Sequence, residues 1–334
     1  MLKDIKKAKK YIFLETYIYA QDSIGAAFRK ALTNKAKQGV QVRLLLDAWG
    51  ADAKKKYFED FIKAGGEVKY FREFMYVLNI FNKNHERDHR KLLLIDDQIS
   101  YIGSLNITSS CLNWRELVIR IEGSLSKTLR ESFNHHWQIS SHFIKKKMQK
   151  LIHSSFEILQ DHPRPSHRHT EKKYIELIKQ AENRICVVTP YFVPSIRIRK
   201  AFAKAAKKGV KIEIILPYIS DVRIADIVRN RYLGGLYKKG LEFYYYKPKT
   251  LNAKLLIVDN DFFILGSSNL DYRSFVHQYE INLLGRDKKI ISALQNYFEE
   301  MLAKTISFNY YEWKDRSSLS KIIEKIIGKF AKYL

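Results

Sequence analysis

The sequence is short of cysteine and of long apolar runs. Its only two cysteines, Cys111 and Cys186, lie in apolar settings without metal-ligand spacing. We therefore expect reduced thiols in or near the core of a protein that faces the cytosol. No run of 18 apolar residues occurs, which predicts that the chain encodes no transmembrane helix, and no secretory signal pattern opens it. The basic start leads at once into an apolar segment, so a membrane anchor ahead of Met1 stays open.

Acidic residues are also scarce. Asp and Glu number 35 against 60 Lys and Arg, which gives a net charge of +25 and a pI near 9.7. Such a surface attracts polyanions, either nucleic acid or an anionic lipid leaflet, and charge alone does not choose between them. A hydrophobic fraction of 46% and a length of 334 residues indicate a globular chain of two ordinary domains.

The chain repeats one order of predicted elements. In each half an apolar strand precedes a helix, and the helix ends at a glycine that leads into a β-branched strand, at Gly39-Val40 and at Gly209-Val210. A second helix, another strand and a final buried strand follow. This alternation predicts an α/β fold of two α/β/α halves, residues 1–155 and 171–310.

Residues 156–170 are predicted to be a linker because they contain prolines and polar residues. Its histidines, His162, His167 and His169, suggest a metal site as an alternative. A solvated connector is favoured, because no carboxylate or cysteine accompanies them at ligand spacing.

Two further segments carry alternatives. Residues 311–334 are predicted to form a basic amphipathic helix, which either lies in a membrane interface or docks on the protein. The apolar segment from Phe71 to Phe81 either lines an acyl-chain groove or packs in the core.

One motif, H/N-x-K-x4-D-x6-G-S-x-N, occurs twice with identical spacing. Chance does not plausibly produce six matched positions. The motif residues are His89, Lys91, Asp96, Gly103, Ser104 and Asn106 in the first copy, and Asn252, Lys254, Asp259, Gly266, Ser267 and Asn269 in the second.

Each copy suits the handling of a phosphate group. Imidazole is a nucleophile or proton carrier near neutral pH, and Lys91, two residues from His89 on a strand, is predicted to point into the same cavity. The serines and asparagines of both motifs, Ser104, Asn106, Ser267 and Asn269, are predicted to donate hydrogen bonds to phosphoryl oxygens. Two copies meeting across a pseudo-twofold axis would clamp one phosphorus between them, with no metal or cofactor.

The two motifs resemble the H-x-K-x4-D signature of the phospholipase D superfamily, over nearly the whole chain. Segments such as Leu14-Glu15-Thr16-Tyr17-Ile18-Tyr19 and Thr189-Pro190-Tyr191-Phe192-Val193-Pro194 are similar to the bacterial cardiolipin synthase branch. The resemblance implies an active site at the interface of two pseudo-twofold-related halves.

The resemblance also implies residue roles. His89 would be the nucleophile that forms a phosphatidyl-histidine intermediate, and position 252 the general acid and base. Glu116 and Glu280 would orient the imidazoles, while Asp96 and Asp259 would be structural, pairing with basic neighbours.

Asn252 departs from the family pattern, which has histidine there. Asparagine cannot shuttle protons, so the position loses general acid–base catalysis, typically worth about 10²- to 10⁴-fold. Three explanations stay open: an engineered inactivating substitution, a natural non-catalytic member, and an enzyme with a substitute proton carrier. The first is favoured, because the rest of the second motif is intact.

The predicted function is phosphatidyl transfer, in which two phosphatidylglycerol molecules give cardiolipin and glycerol. The expected partners are an anionic phospholipid, the membrane surface and a glycerol-type alcohol acceptor, with no obligatory nucleic acid. The resemblance implies a place at the cytoplasmic face of the bacterial inner membrane, peripheral or through an N-terminal anchor. Alternatives are lipid hydrolysis or headgroup exchange, a superfamily nuclease, and a non-catalytic protein that binds anionic lipid.

Overall fold

The computed structural model describes residues 1–72, 86–140, 151–163 and 168–328. Twenty β-strands lie along these described residues. They are β1 Tyr11–Thr16, β2 Gln41–Asp47, β3 Glu67–Phe71, β4 Arg87–Asp88, β5 Leu92–Ile95, β6 Ile99–Gly103, β7 Trp114–Arg115, β8 Val118–Glu122, β9 Leu151–His153, β10 Phe156–Asp161, β11 Arg184–Val188, β12 Phe192–Val193, β13 Lys211–Pro217, β14 Leu241–Tyr246, β15 Thr250–Leu251, β16 Leu255–Val258, β17 Phe262–Gly266, β18 Leu270–Asp271, β19 Gln278–Gly285 and β20 Thr305–Ser307.

Helices connect these strands and cover the sheets. The α-helices are α1 Leu2–Lys7, α2 Ser23–Lys37, α3 Glu59–Lys63, α4 Leu125–Ile139, α5 His169–Gln180, α6 Ile196–Lys207, α7 Arg223–Tyr237, α8 Tyr272–Val276, α9 Lys288–Leu302, α10 Tyr310–Lys314 and α11 Ser318–Ile327, with 3-10 turns at Lys55–Phe58 and Ser109–Asn113. Across the described residues, no helix combines the length and the apolar character that a membrane span requires.

Two sheets of the same topology form the two halves. The first has the order β3-β2-β1-β5-β6-β8, and the second contains the matching order β14-β13-β11-β16-β17-β19. In each sheet the first three strands are parallel and the motif strand, β5 or β16, runs antiparallel beside the central strand. The predicted α/β fold of two repeated halves is confirmed.

The predicted linker, residues 156–170, is wrong over its first six residues. Phe156–Asp161 form β10, which pairs with β19 in the second sheet. On its other side β10 pairs with β9, the outermost strand of that sheet. Ile158 and Leu159 are buried there, and burial of these apolar side chains explains why the segment extends the sheet instead of crossing the surface. The linker also ends early, because α5 begins at His169.

A shared apolar core joins the halves. The cluster combines residues of both sheets, such as Phe13 and Leu255, with α4 and α9 residues such as Phe133 and Phe298. Separate clusters lie on the outer faces, under α2 in the first half and under α5, α6 and α7 in the second. The sheets are therefore covered on both faces, as their almost wholly apolar central strands require.

The C-terminal segment, predicted as a single helix over 311–334, is instead divided. The side chain of Ser317 accepts a hydrogen bond from the Ser320 amide and begins α11 after α10 has ended at Lys314. Ile327 packs against Val193 and Val228, so α11 is docked on the protein by part of its surface. Residues 329–334 lie outside the described residues. Of the predicted apolar segment 71–81, Phe71 is buried and the part from 73 onward lies outside them.

Two short strand pairs cross between the halves and bring the motifs together. β4, just before the first motif, pairs in parallel with the start of β19, and β15, just before the second motif, pairs in parallel with β7. Each motif therefore enters the interface beside a strand of the opposite half.

Candidate active site

His89 is held by the second half of the chain. Its backbone amide donates to the Tyr279 carbonyl at 3.0 Å, and its Nδ1 lies 3.0 Å from Glu280 Oε1. The Tyr17 ring meets the imidazole edge-on, with ring centroids 5.2 Å apart. Because Nδ1 faces a carboxylate, that nitrogen carries the proton, and Nε2 is the ring nitrogen with a lone pair for a substrate.

Asn252 has the same surroundings with the halves exchanged. Its backbone amide donates to the Arg115 carbonyl at 3.0 Å, and its Nδ2 donates to Glu116 Oε1 at 2.8 Å. Its Oδ1 accepts a hydrogen bond from Lys254. The amide therefore reproduces the hydrogen bond that an imidazole Nδ1 would make, but it offers no basic nitrogen to the site.

The two carboxylates pair crosswise. Glu280, from the second half, holds His89, and Glu116, from the first half, holds Asn252. The implied orienting role of these two residues is consistent with these contacts. The crossing itself could not be read from the sequence, because spacing along the chain does not tell which half supplies the partner.

The motif serines have a partner other than the predicted phosphate. Ser104 donates to Glu116 and Ser267 to Glu280, and both serine side chains are fully buried. The serine oxygens also accept hydrogen bonds from Leu117 N, just before β8, and from Ile281 N in β19, each at 2.9 Å. These hydroxyls fix the carboxylates and do not reach into the cleft.

The motif glycines follow from the same close packing. A Cβ at Gly103 would collide with the Leu117 carbonyl, and one at Gly266 with the Ile281 carbonyl. Only glycine lets the end of β6 or β17 lie directly against the backbone of the residue that follows the orienting carboxylate.

Lys91 and Lys254 are buried in equivalent positions. Lys91 Nζ donates to the His89 carbonyl at 2.7 Å, and Lys254 Nζ to the Asn252 carbonyl at 2.6 Å. Burial lowers the pKa of Lys91 to about 7, and it also lowers the pKa of Lys254, although the nearby glutamates oppose both shifts. The prediction that His89 and Lys91 lie on one strand is wrong, because β5 begins only at Leu92. Lys91 nevertheless lies beside His89, to whose carbonyl it donates.

The charges around His89 favour the neutral imidazole. Burial lowers its pKa well below the usual value, and the positive charges of Lys91, Lys254 and Arg273 add to this effect. Burial raises the pKa of Glu280 to about 7. A neutral ring beside two lysines suits attack on an anionic phosphodiester, because the lone pair of Nε2 is available and the charge is supplied by neighbours.

Arg273 and Tyr17 are site residues without a role in the sequence-based prediction. Tyr17 lies in the segment Leu14–Tyr19, which resembles the cardiolipin synthase branch, and Arg273 follows the second motif by four residues, but their contacts were not predictable. Arg273 has no cationic counterpart in the first half, where the equivalent position is Ser110.

The motif asparagines differ from one another. Asn106 Oδ1 accepts from the Ile18 amide at 3.2 Å, which leaves its amide nitrogen as the donor. Asn269 is buried, its backbone amide donates to Ser274 at 3.2 Å, and its Oδ1 has no hydrogen-bond partner. Their predicted contact with phosphate stays a prediction.

Within the described part of the chain, the motif aspartates accept hydrogen bonds from backbone amides and do not pair with basic side chains. Asp96 accepts from the amides of Lys9, Lys10 and Tyr11 at 2.6–2.8 Å. Asp259 accepts in the same way from residues 182, 183 and 184 at 2.8–3.0 Å. Each carboxylate thereby fixes the start of the central strand of its half, which accords with the implied structural role, although the expected pairing with basic neighbours is replaced by amide donors.

A buried polar cluster lies behind His89. Glu15, Asp88 and His136 place potential ligand atoms within 4.8 Å of one another. His136 Nδ1 lies 2.5 Å from Glu15 Oε1, and the guanidinium Nε of Arg90 is 3.1 Å from the same oxygen. Because Arg90 and the imidazole N–H already serve this carboxylate, the cluster reads as a hydrogen-bonded charge network and not as a cation site.

Comparisons with known proteins agree with this geometry. The family model described as cardiolipin synthase, PLD-like domain, matches residues 1–137 and 174–302. The cardiolipin synthase of Clostridium perfringens (strain SM101 / Type A) is 30% identical over 98% of this chain and 72% of its own length. For the major cardiolipin synthase of Bacillus subtilis (strain 168) the values are 31%, 98% and 71%.

Among solved structures, the phosphatidylserine synthase of Haemophilus influenzae Rd KW20 superimposes with a TM-score of 0.77. The match covers 100% of this chain and 92% of that chain at 13% identity, so it shows a shared fold. The repeated motif, the paired halves and the two matched segments lead to one assignment: the chain belongs to the cardiolipin synthase family of phospholipase D-like proteins.

Proposed function

We propose that the protein has the architecture of a phosphatidyl transferase that makes cardiolipin and glycerol from two phosphatidylglycerol molecules. The observation that carries this proposal is the crosswise arrangement, in which His89 with Glu280 faces Asn252 with Glu116 and both lysines lie beside them. The family relatives named cardiolipin synthase supply the substrate class.

In the first step, His89 Nε2 attacks the phosphorus of phosphatidylglycerol. An N–P bond forms and the P–O bond to the glycerol headgroup breaks, while Glu280 stabilises the charge that develops on the imidazole. Lys91 and Lys254 neutralise the non-bridging oxygens. The departing glycerol alkoxide needs a proton, and position 252 is where a general acid would supply it.

In the second step, a hydroxyl of another phosphatidylglycerol attacks the same phosphorus. Its proton passes to the base at position 252, the new P–O bond forms, the N–P bond breaks, and His89 leaves as neutral imidazole. Water as acceptor would give phosphatidic acid by the same path, so the acceptor is decided by what reaches the cleft.

Asn252 interrupts both proton transfers. Its Nδ2 is committed to Glu116 and its Oδ1 to Lys254, and an amide neither donates nor accepts a full proton near neutral pH. We propose that the chain with Asn252 is strongly impaired while its binding of phospholipid at the cytoplasmic face of a bacterial membrane is retained.

The test restores the missing group. In vesicles of phosphatidylglycerol, Asn252→His is expected to raise cardiolipin formation by about 10²- to 10⁴-fold, the usual range for a general acid–base group. Products are separated by thin-layer chromatography, which distinguishes cardiolipin from phosphatidic acid.

Two controls define the result. Asn252→Gln keeps an amide and should stay as inactive as the unsubstituted chain, and His89→Ala in the Asn252→His background should abolish product. If folded Asn252→His protein binds the vesicles yet forms neither cardiolipin nor phosphatidic acid, the proposed transfer is wrong.

A further inference from the structure

Two exposed apolar side chains occupy equivalent places in the two halves. Trp49 is the second residue after β2, and Ile219 the second residue after β13, and these side chains are 57% and 47% exposed. The equivalence extends to the backbone. Ala48 N donates to Phe71 O at 3.2 Å, and Tyr218 N donates to Tyr246 O at 3.0 Å.

The first of these loops lies beside His89. The guanidinium of Arg87 is 5.3 Å from the centroid of the Trp49 ring, and Gly50 packs so closely on Tyr17 that a Cβ would collide with its ring. Tyr17 in turn contacts the His89 imidazole. Trp49 therefore stands on the first-half side of the cleft.

The second loop lies beside Lys254. Tyr191 donates its hydroxyl proton to Asp221 Oδ1 at 2.7 Å. Thr189 donates to the Tyr191 carbonyl at 2.9 Å and accepts from the amide of Leu270, the residue after Asn269, at 3.1 Å. This loop therefore stands close to the second motif, where the charge of Asp221 also acts on Lys254. Because the halves are related by a pseudo-twofold axis, the two loops occupy equivalent places on either side of the cleft.

More exposed apolar side chains surround Ile219. Tyr218, Val222 and Ile224 are exposed in the same loop and at the start of α7, and Lys247 places its ammonium 4.4 Å from the Tyr218 ring. The side chains that form this rim surface are Trp49, Tyr218, Ile219, Val222 and Ile224. Aromatic and aliphatic side chains with cations beside them are typical of a membrane interface, where the apolar parts enter lipid and the charges meet anionic headgroups.

Helix α11 adds a second apolar face next to the rim surface. It packs on α7 with its last residue, Ile327, against Val228. It leaves four apolar side chains exposed, Leu319, Ile322, Ile323 and Ile326, and its Lys321 and Lys325 are exposed as well. This face of α11, like the rim surface, combines exposed apolar side chains with cations and therefore also suits an anionic membrane.

We propose that the rim surface inserts into the headgroup region of an anionic bilayer and places the cleft mouth directly on the lipid. A phosphodiester group could then enter from the membrane without its acyl chains crossing water. This inference rests on the proposed action on phospholipid, but the binding it describes is measurable without any turnover.

The test uses the full chain and vesicles of phosphatidylcholine, with and without phosphatidylglycerol. Trp49→Ser and Ile219→Ser are each expected to lower the affinity for phosphatidylglycerol-containing vesicles about tenfold, because each removes a large apolar side chain from the inserted surface. The matched control is Ile152→Ser. Ile152 is 58% exposed on β9 and pairs with Glu157 at the end of β10 remote from Asp161 and Glu280.

The inference is overturned if both rim variants bind as the unsubstituted chain does, or if Ile152→Ser loses as much affinity. Thermal unfolding of each variant confirms that the fold is intact. Activity of the Asn252→His protein is a separate measurement, so loss of the proposed function and loss of the rim contact are distinguishable.

A spectroscopic measurement locates the insertion. Bromine-labelled acyl chains are expected to quench Trp49 fluorescence in bound protein, and Trp49→Phe, which keeps an apolar ring, should remove this quenching while it retains binding. Quenching that is unchanged in Trp49→Phe would show that other tryptophans carry the signal and would contradict insertion of this loop.

Discussion

Among single residues, Asn252 retains only one of the two functions that a histidine would have at this position. It keeps the hydrogen bond to the carboxylate of the opposite half, which positions the side chain, and it loses the transferable proton. Because the first step needs that proton only when the leaving group is a strong base, His89 should still react with a substrate whose leaving group departs as an anion.

A phosphatidyl ester of p-nitrophenol tests this separation. The unsubstituted chain is expected to release about one equivalent of nitrophenolate as the N–P bond to His89 forms, and then to stop, because no base at position 252 activates the acceptor. The burst is followed by absorbance.

His89→Ala should show no burst, which assigns it to the imidazole. Continuous turnover at the burst rate would mean that another group, with Lys254 the nearest, acts as the proton carrier.

Among the secondary-structure elements, the hairpin turn after each motif strand contains an aspartate that binds the start of the neighbouring central strand. Asp96 and Asp259 both adopt positive φ, 56° and 50°, and each accepts hydrogen bonds from three amides at the start of the adjacent central strand. Aspartate tolerates this backbone conformation better than most residues, and its carboxylate also binds the amides.

Asp259→Ala is therefore expected to lower the free energy of unfolding by about 2 kcal/mol, through lost hydrogen bonds and a less favourable φ. Urea denaturation measures the change. Asp261→Ala is the matched control in the same turn. Asp261 contacts Lys288 at the exposed surface, and its loss should leave the free energy of unfolding nearly unchanged. Equal losses in both variants would refute the role of the three amide bonds.

Much of the order of helices and strands could be predicted, because helices that end at a glycine, strands rich in β-branched residues and the duplicated motif are all local signals in the sequence. The strand β10 was missed because its neighbouring prolines and histidines outweighed a short apolar stretch, and only pairing with β19 decides its conformation. The partners of Ser104 and Ser267 were missed for a related reason. A hydroxyl in a glycine-containing turn suits a phosphate as well as a carboxylate. The carboxylate comes from a later segment, Glu116 between β7 and β8 and Glu280 within β19.

In the whole molecule, the two halves have the same strand order but bury different residues next to their motifs. The first half buries Glu15, Asp88 and Arg90, where the register and the motif spacing place Val188, Leu251 and Ala253 in the second. His136 completes the network of the first half, and burial lowers its pKa to about 4 although Glu15 opposes the shift.

This asymmetry predicts a pH dependence of stability. The unfolded chain protonates His136 near its ordinary pKa of 6.5, whereas the folded chain does so only near 4, so the unfolded state binds more protons between these values. Stability should fall as the pH is lowered from about 6.5 to 4, by up to about 3 kcal/mol from this group.

Denaturation curves across this range measure the effect. His136→Gln keeps a hydrogen-bond donor for Glu15 but cannot titrate, so it should give a flatter profile. A profile as steep as that of the unsubstituted chain would assign the acid sensitivity to other groups.

The crossed carboxylates also bear on how such a site can be altered at one histidine position alone. In an assembly of two identical subunits, a codon change at this position would strike both members of the histidine pair together. Fusion of two copies in one gene lets one histidine be replaced while the other, with its own glutamate, is untouched. The single polypeptide is thus what allows an asymmetric centre, with His89 on one side and Asn252 on the other, to exist.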